Sequence, residues 1–363
     1  MLYNWQLEDW PRFRFDTHVV EGDLLAFADL AGQVNGMLKV LPEGIQMDAL
    51  VDIMIVEAIK TSEIEGEFLS RPDVMSSIRN ELGLNLPRAP IQDKASGGVG
   101  QLLVEVRNTW DVPLGTGILF DWHRMLMSGA SDVAVGAWRS HEAPMQVVSG
   151  RIGKPRVHFE APPSTRVPDE MDRFVRWFNA SEQTLRHAPV RAAIAHLYFE
   201  TIHPFEDGNG RIGRAIAEKA LSQGLGRPAL LSLSRSIESN KKAYYSALEQ
   251  AQKSNEITGW TTYFVRLVLQ AQQEAEAHID FVLRKTRFFD RYKGQLEDRS
   301  LKVVRRMLDA GPDGFEGGMN ARKYIALTRV SKATATRDLQ ALVELGVFTP
   351  LGGGRSRCYQ LNL

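Results

Sequence analysis

From Met47 to Glu65, apolar residues fall at Leu50, Val51, Met54, Ile55, Ala58 and Ile59, the spacing of one buried stripe on a helix. Gly66 follows as a helix stop. The breaker-rich stretch from Leu82 to Gly98 then separates an N-terminal section from what comes next. Helical signals resume near Gln101 and again from Phe120 to Leu126. Between Met145 and Pro163 the pattern changes: Val147-Val148 and Val157-His158-Phe159 flank the turn-forming SGRIGKPR, which predicts a short hairpin. Helices return over Pro168 to Phe178 and Pro189 to Ile202, the second with an apolar face of Val190, Ala193, Ile194, Leu197 and Tyr198. Pro189 suits its first position. Another helix is expected from about Arg211 to Gln223, and more follow to about Arg291. From about Gln295 two short helical stretches lead into SKATATRDLQALVELGVF, and TPLGGGRSRCYQLNL suggests a small hairpin around glycines. The chain therefore reads as mainly α, in three parts: 1–98, 99–280 and 295–363.

Composition narrows the class only a little. At 363 residues there is room for two or three domains, one with a sizeable core. A formal net charge of +0 excludes a molecule that adsorbs as a whole to nucleic acid or membrane, while leaving room for local charge. One cysteine, Cys358, excludes an internal disulfide and a cysteine metal cluster, which suits a reducing compartment. The opening MLYNWQLEDWPRFRFD has no apolar signal core, and no run approaches a membrane span. A cytoplasmic location without a membrane partner is expected.

The chemistry is concentrated in HPFEDGNGRIGR, His203 to Arg214. Pro204 biases His203 away from helical geometry, so its imidazole lies on a loop just past a helix end. There it can face a reactant, and its ordinary pKa suits proton abstraction near neutrality. Gly208-Asn209-Gly210 can turn tightly and expose backbone N–H groups at the start of the next helix, an anion cradle. Arg211 and Arg214, three apart, share a face of that helix and can grip phosphates. Asp207 is a lone carboxylate beside the cradle, and one carboxylate plus phosphate oxygens is a common way to hold Mg²⁺. Phe205 points inward to pin the loop, and with Glu206 it is counted among the nucleotide-contacting residues. The run GNGRIG satisfies G-x-G-x-x-G, but a dinucleotide fingerprint follows a strand and this one follows a helix. A base, an anion nest, a metal carboxylate and two arginines describe transfer from a nucleoside triphosphate.

A second segment, TSEIEG from Thr61 to Gly66, belongs to the first helix. At about 100° per residue, Thr61 and Glu65 project within roughly 20° of Met54, on the apolar stripe. A carboxylate there calls for a cationic partner, unless the stripe simply ends and Glu65 is solvated.

HPFEDGNGRIGR matches the signature HPFx[DE]GNGRxxR of the Fic family, which this chain resembles over about residues 1 to 280. Gly136-Ala137-Trp138-Arg139 is also similar to the family, and Tyr3-Asn4-Trp5 with its surrounding helices resembles a domain of undefined function that accompanies bacterial members. The resemblance implies a helical core with a β-hairpin flap, and AMP transfer from ATP to Ser, Thr or Tyr hydroxyls of a target protein. By similarity His203 deprotonates the hydroxyl, which attacks the α-phosphate as pyrophosphate leaves. Asp207 holds Mg²⁺, Gly208 to Gly210 the phosphates, and Arg211 and Arg214 the outer phosphates. A kinase-like branch has lysine where Gly210 stands, so Gly210 favours AMP transfer. Val147, Val148, Val157 and His158 would form the flap that aligns a target segment by strand addition. Thr61, Glu65 and Gly66 match the inhibitory pattern [ST]xxxE[GN], whose glutamate pairs with the second signature arginine, here Arg214, in the γ-phosphate's seat. Asn240 and Tyr244 lie where similar enzymes build the adenine pocket.

The C-terminal section resembles a winged helix, with Ala333 to Leu345 as recognition helix capped by Ser331 and Gly352 to Ser356 as wing tip. From Met319 to Leu363 seven Lys or Arg (322, 323, 329, 332, 337, 355, 357) face two acids (338, 344), an excess of five in a neutral chain. DNA contact through Arg337, Arg355 and Arg357 is one expectation. Protein docking or homodimer formation is the other. The expected activity is thus a protein adenylyltransferase restrained by Glu65. The alternatives are a DNA-binding regulator whose Fic core senses nucleotide, or a site that also removes AMP.

Overall fold

The computed structural model describes residues 2–151, 154–312, 314–353 and 357–363, with the side chains of 149–151, 154 and 155 left aside. Its helices are α1 (Glu21–Lys39), α2 (Glu43–Ile64), α3 (Arg71–Glu81), α4 (Lys94–Asn108), α5 (Thr116–Leu126), α6 (Val167–Thr184) and α7 (Ala188–Ile202). Then come α8 (Asn209–Leu225), α9 (Leu233–Ser239), α10 (Lys241–Ala251), α11 (Thr258–Arg291), α12 (Asp298–Leu308), α13 (Ala321–Thr328) and α14 (Lys332–Glu344). Strands β1 (Gln146–Arg151) and β2 (Lys154–Glu160) lie between α5 and α6, and β3 (Phe348–Leu351) and β4 (Cys358–Leu361) follow α14. Each pair forms an antiparallel hairpin, so the chain is mainly helical with two small sheets, as the periodicity predicts. None of the described helices is long and apolar enough to cross a membrane.

The chain divides into two compact units, Met1–Asn35 with Met47–Ala275, and Gly36–Gln46 with Glu276–Leu363. In the first unit every residue of α7 is buried. Such a helix must be surrounded on all sides, and α6 and α8 lie against it. Its one arginine, Arg191, donates to Ser181 Oγ at 2.9 Å and to the Phe178 carbonyl at 2.8 Å. The N-terminal segment is tied in through two adjacent residues. Asn4 donates its main-chain N–H to Gln252 at 2.8 Å, and Trp5 Nε1 donates to the Glu160 carbonyl at 2.7 Å.

The expected boundary at residue 98 falls inside α4, and the residues on both sides belong to the first unit. Asp93 caps α4, its carboxylate accepting from the Ala95 and Ser96 N–H groups at 3.1 and 3.2 Å. The Ser-Gly-Gly that reads as a breaker is instead a close-packing surface. A Cβ at Gly98 would lie 2.0 Å from the Met125 carbonyl, so α5 approaches where side chains are missing.

The second unit has its own core, including Val303, Val304, Tyr324, Leu339 and Phe348. Helices α12, α13 and α14 precede the β3–β4 hairpin, and Met319 exchanges main-chain bonds with Tyr359 at 2.8 and 2.7 Å. Ser331 caps α14 by accepting from the Thr334 N–H at 3.2 Å, as expected from the sequence.

Candidate active site

Helix α7 ends at His203, whose φ of 51° and ψ of 60° are left-handed. For a residue with a Cβ this conformation costs about 1–3 kcal/mol, which surrounding contacts must offset. Asn209 supplies two of them: its Oδ1 accepts from the Phe205 N–H at 2.9 Å and its Nδ2 donates to the Phe205 carbonyl at 2.8 Å. Phe205 is fully buried and stacks on His123 at 4.1 Å, so it anchors the loop from beneath. Glu206 accepts from the Ala134 N–H at 2.9 Å, which makes its carboxylate a latch on the neighbouring loop. Gly208 turns the chain with φ 81° into α8. The first N–H groups of a helix have no partner within it, and those of residues 209–211 are therefore presented together with the positive end of the α8 dipole.

His203 keeps 18% of its side-chain surface exposed, and its Nδ1 lies 3.8 Å from the Glu200 carboxylate. Burial, seconded by the positive charge of Arg139, pushes the His203 imidazole down to about 4, so it is neutral at pH 7. Glu200 is pushed up to about 8 by burial and by the charge of Glu65. Asp207 is half exposed; one oxygen accepts from the Gly208 N–H at 2.6 Å and the other faces Arg211 at 3.4 Å.

Arg211 and Arg214 are both buried and both carry a carboxylate. Arg214 donates Nη2 to Glu65 Oε1 at 2.8 Å and to the Thr61 carbonyl at 2.9 Å, and Nε to Thr61 Oγ1 at 2.8 Å. Burial pushes the Glu65 carboxyl up, but the charge and hydrogen bond of Arg214, with Arg211 and Lys241 behind it, outweigh that and hold it below its usual range. Helix α2 stops at Ile64, and the Glu65 side chain keeps 29% of its surface exposed rather than sitting fully on the buried stripe. Gly66 turns with φ 84°, letting the Glu67 N–H reach the Ser62 carbonyl at 2.9 Å. That turn delivers Glu67 to Arg211, Oε2 to Nη1 at 2.5 Å. Gly210 has no room for a side chain beside the Glu65–Arg214 pair: a Cβ would lie 2.2 Å from Glu65 Oε1.

The structure thus brings His203, Phe205, Glu206, Asp207, Gly208, Asn209, Gly210, Arg211, Arg214, Thr61, Glu65 and Gly66 together. Tyr244 is buried and its hydroxyl meets His196 Nε2 at 2.7 Å, so it belongs to the core beneath the site. Asn240 caps α10, its Oδ1 accepting from the Ala243 N–H at 3.3 Å, and borders a separate cleft with Thr262 and Tyr263. On the hairpin, Val147 pairs with Phe159 and Val148 with Val157, with an irregularity between them. Val148 and Val157 are exposed, and His158 Nδ1 lies 2.9 Å from Glu249. Arg337 is exposed on α14, Arg357 lies 5.9 Å from the Tyr359 ring, and Arg355 lies outside the described residues. Residue reasoning missed Glu67, His123 and Arg139. The repeat of acids in Glu65-Gly66-Glu67 was a signal for the first and the family-like Gly136-Ala137-Trp138-Arg139 for the last, whereas a buried histidine carries none.

Residues 113–221 match the Fic/DOC family, and residues 3–84 match a domain of unknown function, DUF4172. A probable protein adenylyltransferase of Aquifex aeolicus is 35% identical over 95 residues, 26% of this chain and 27% of that protein. Protein adenylyltransferase fic-1 of Caenorhabditis elegans is 31% identical over 134 residues, 37% of this chain and 23% of that protein. The chain spans about a quarter of the length of these curated relatives. The crystal structure of a Fic family protein from Desulfovibrio desulfuricans aligns over 97% of this chain and 98% of that one, with a TM-score of 0.54 at 20% identity. At that identity the likeness is one of fold.

Proposed function

Because residues 113–221 are a Fic/DOC-family domain, we propose that the protein is an adenylyltransferase that moves AMP from ATP to Ser, Thr or Tyr hydroxyls of a target protein. The observation that carries this reading is the convergence of a neutral histidine, a helix N-terminus and two buried arginines on the signature loop and the first turns of α8. His203 takes the proton of the attacking hydroxyl. The new bond forms between that oxygen and the α-phosphorus, the bond to the bridging oxygen breaks, and pyrophosphate leaves. The N–H groups of residues 209–211 hold phosphate oxygens, and Arg211 and Arg214 balance the charge that develops on the outer phosphates. Magnesium fits as a nucleotide-borne ion: among the described residues no cluster of three or more His, Cys, Asp or Glu is placed to hold a metal, but Asp207 offers one exposed carboxylate beside the cradle. Bound there with the phosphates, it would neutralise their charge. Exposed Val148 and Val157 support a role for the β1–β2 hairpin in aligning the target by strand addition.

The same geometry supports restraint. Glu65 takes the guanidinium that a γ-phosphate needs, and Glu67 takes the other, so the resting site is closed at two points rather than one. Incubating the protein and a cell lysate with ATP labelled at the α- or the γ-phosphate tests the activity. Label should enter proteins from the α-position only. Label entering from the γ-position would mean phosphoryl transfer.

Three helices followed by a hairpin, with Arg337 outward on α14, support a winged helix in the second unit and DNA contact as a second function. In gel-shift titrations of the full chain, Arg357→Ala should weaken binding to all duplexes and flatten its salt dependence, while Arg337→Ala should blur sequence preference. Absence of salt-sensitive binding at low ionic strength would leave the module as a protein-docking or dimerisation element.

A further inference from the structure

Three successive carbonyls at the end of α7 accept hydrogen bonds from one residue outside the signature. The main-chain N–H of Arg139 donates to Pro204 at 2.9 Å, its Nε to His203 at 2.7 Å, and its Nη2 to Ile202 at 3.3 Å and to Pro162 at 2.5 Å. A helix end leaves its last carbonyls without donors, and the left-handed turn at His203 prevents the next residues from continuing the ladder. Arg139 supplies the missing donors. It is buried, and among the described residues no carboxylate forms an ion pair with it. What compensates its charge is the carbonyl set itself, at the negative end of the α7 dipole. Burial brings the guanidinium down to about 10, so it remains cationic at neutral pH.

We infer that Arg139 is a positioning residue for AMP transfer: it fixes the left-handed backbone of His203 and places a permanent positive charge beside the imidazole. The inference rests on His203 acting as the base. The titratable and charged groups facing that ring are Arg139 from the loop before β1, Glu200 from α7, whose carboxyl burial keeps largely protonated at neutral pH, Glu65 from the end of α2 and Asp207 from the signature loop. The Glu65 and Asp207 carboxylates and the main-chain hydrogen bond to Glu200 favour the imidazolium, and after burial Arg139 is the group that opposes them. The geometry and the charge therefore act to the same end, a ring aimed at the hydroxyl and free to accept its proton.

The two contributions separate by substitution, measured in a Glu65→Gly background so that turnover is visible. Arg139→Lys keeps the charge and loses the forked bonds. Its kcat should fall by about tenfold or more, as misplacing a catalytic group does, with KM for ATP changed by less than about threefold. Arg139→Gln loses both. In histidine-labelled protein, the NMR titration of the His203 ring should move from about 4 towards about 6.5, and the acid limb of kcat/KM should shift to higher pH with it. In Arg139→Lys the titration should stay low. If the Glu65→Gly protein transfers no AMP at all, the functional reading fails, while the ring titration still tests Arg139. An unchanged kcat in Arg139→Lys, or an unmoved His203 titration in folded Arg139→Gln, overturns the inference.

Discussion

Replacing His203 with alanine should lower AMP transfer by about 10²–10⁴-fold, the contribution of a well-placed general base. Nucleotide affinity should change little, because the phosphate cradle consists of the N–H groups at the start of α8 and the two arginines, none of which the substitution touches. The loop should also survive. Asn209 brackets Phe205, Phe205 stacks on His123, and the Arg139 donors reach main-chain carbonyls rather than the imidazole. Alanine tolerates the left-handed backbone no better than histidine, so some thermal stability is lost, and melting curves must accompany the kinetics. A folded variant that binds ATP and transfers AMP at the wild-type rate would remove His203 from the mechanism.

Replacing Glu65 with glycine should raise AMP transfer, including self-modification, on the order of 10- to 100-fold, the range of a coupling between two competing occupants of one site. Arg214 does not become an orphan in this variant, since Thr61 still accepts from its Nε and Nη2 through the hydroxyl and the carbonyl. It remains folded in place, with one donor face open for a phosphate. Glu67→Gln alone should do little, because Arg214 stays occupied, but added to Glu65→Gly it should raise activity further by freeing Arg211. A double-mutant cycle with Arg214 measures the pair directly: once Arg214 is gone, removing Glu65 should gain nothing. Equal or lower activity in the single Glu65 variant would reduce the glutamate to an ordinary surface contact.

The hydrophobic periodicity placed α7 to within one residue because burial on a helix follows residues three and four apart, and the winged-helix resemblance placed α14 equally well, whereas α1 and α3 were not among the helices read from the pattern. The signature loop was equally legible. Its histidine, its glycines and its arginines are contiguous, so their mutual placement depends on local turns that neighbouring residues dictate. Even the cap at Ser331 is a contact three residues long. Other features were decided at a distance. The glycine-rich start of α4 reads as a linker by propensity, yet it is helical because α5 fills the space its side chains leave empty. Tyr244 stands at a position suited to a ligand pocket, but its hydroxyl is taken by His196, forty-eight residues away. The sequence marked Glu65 as a carboxylate in need of a cation, and without the family resemblance it had no means of naming Arg214. The repeat of acids at Glu65 and Glu67 did not name Arg211 as the second partner, and nothing local placed Arg139 against three carbonyls beyond residue 200. Such pairings arise only when helices pack, since a buried charge must find its partner wherever the fold brings one within reach, and no local preference encodes which partner that will be.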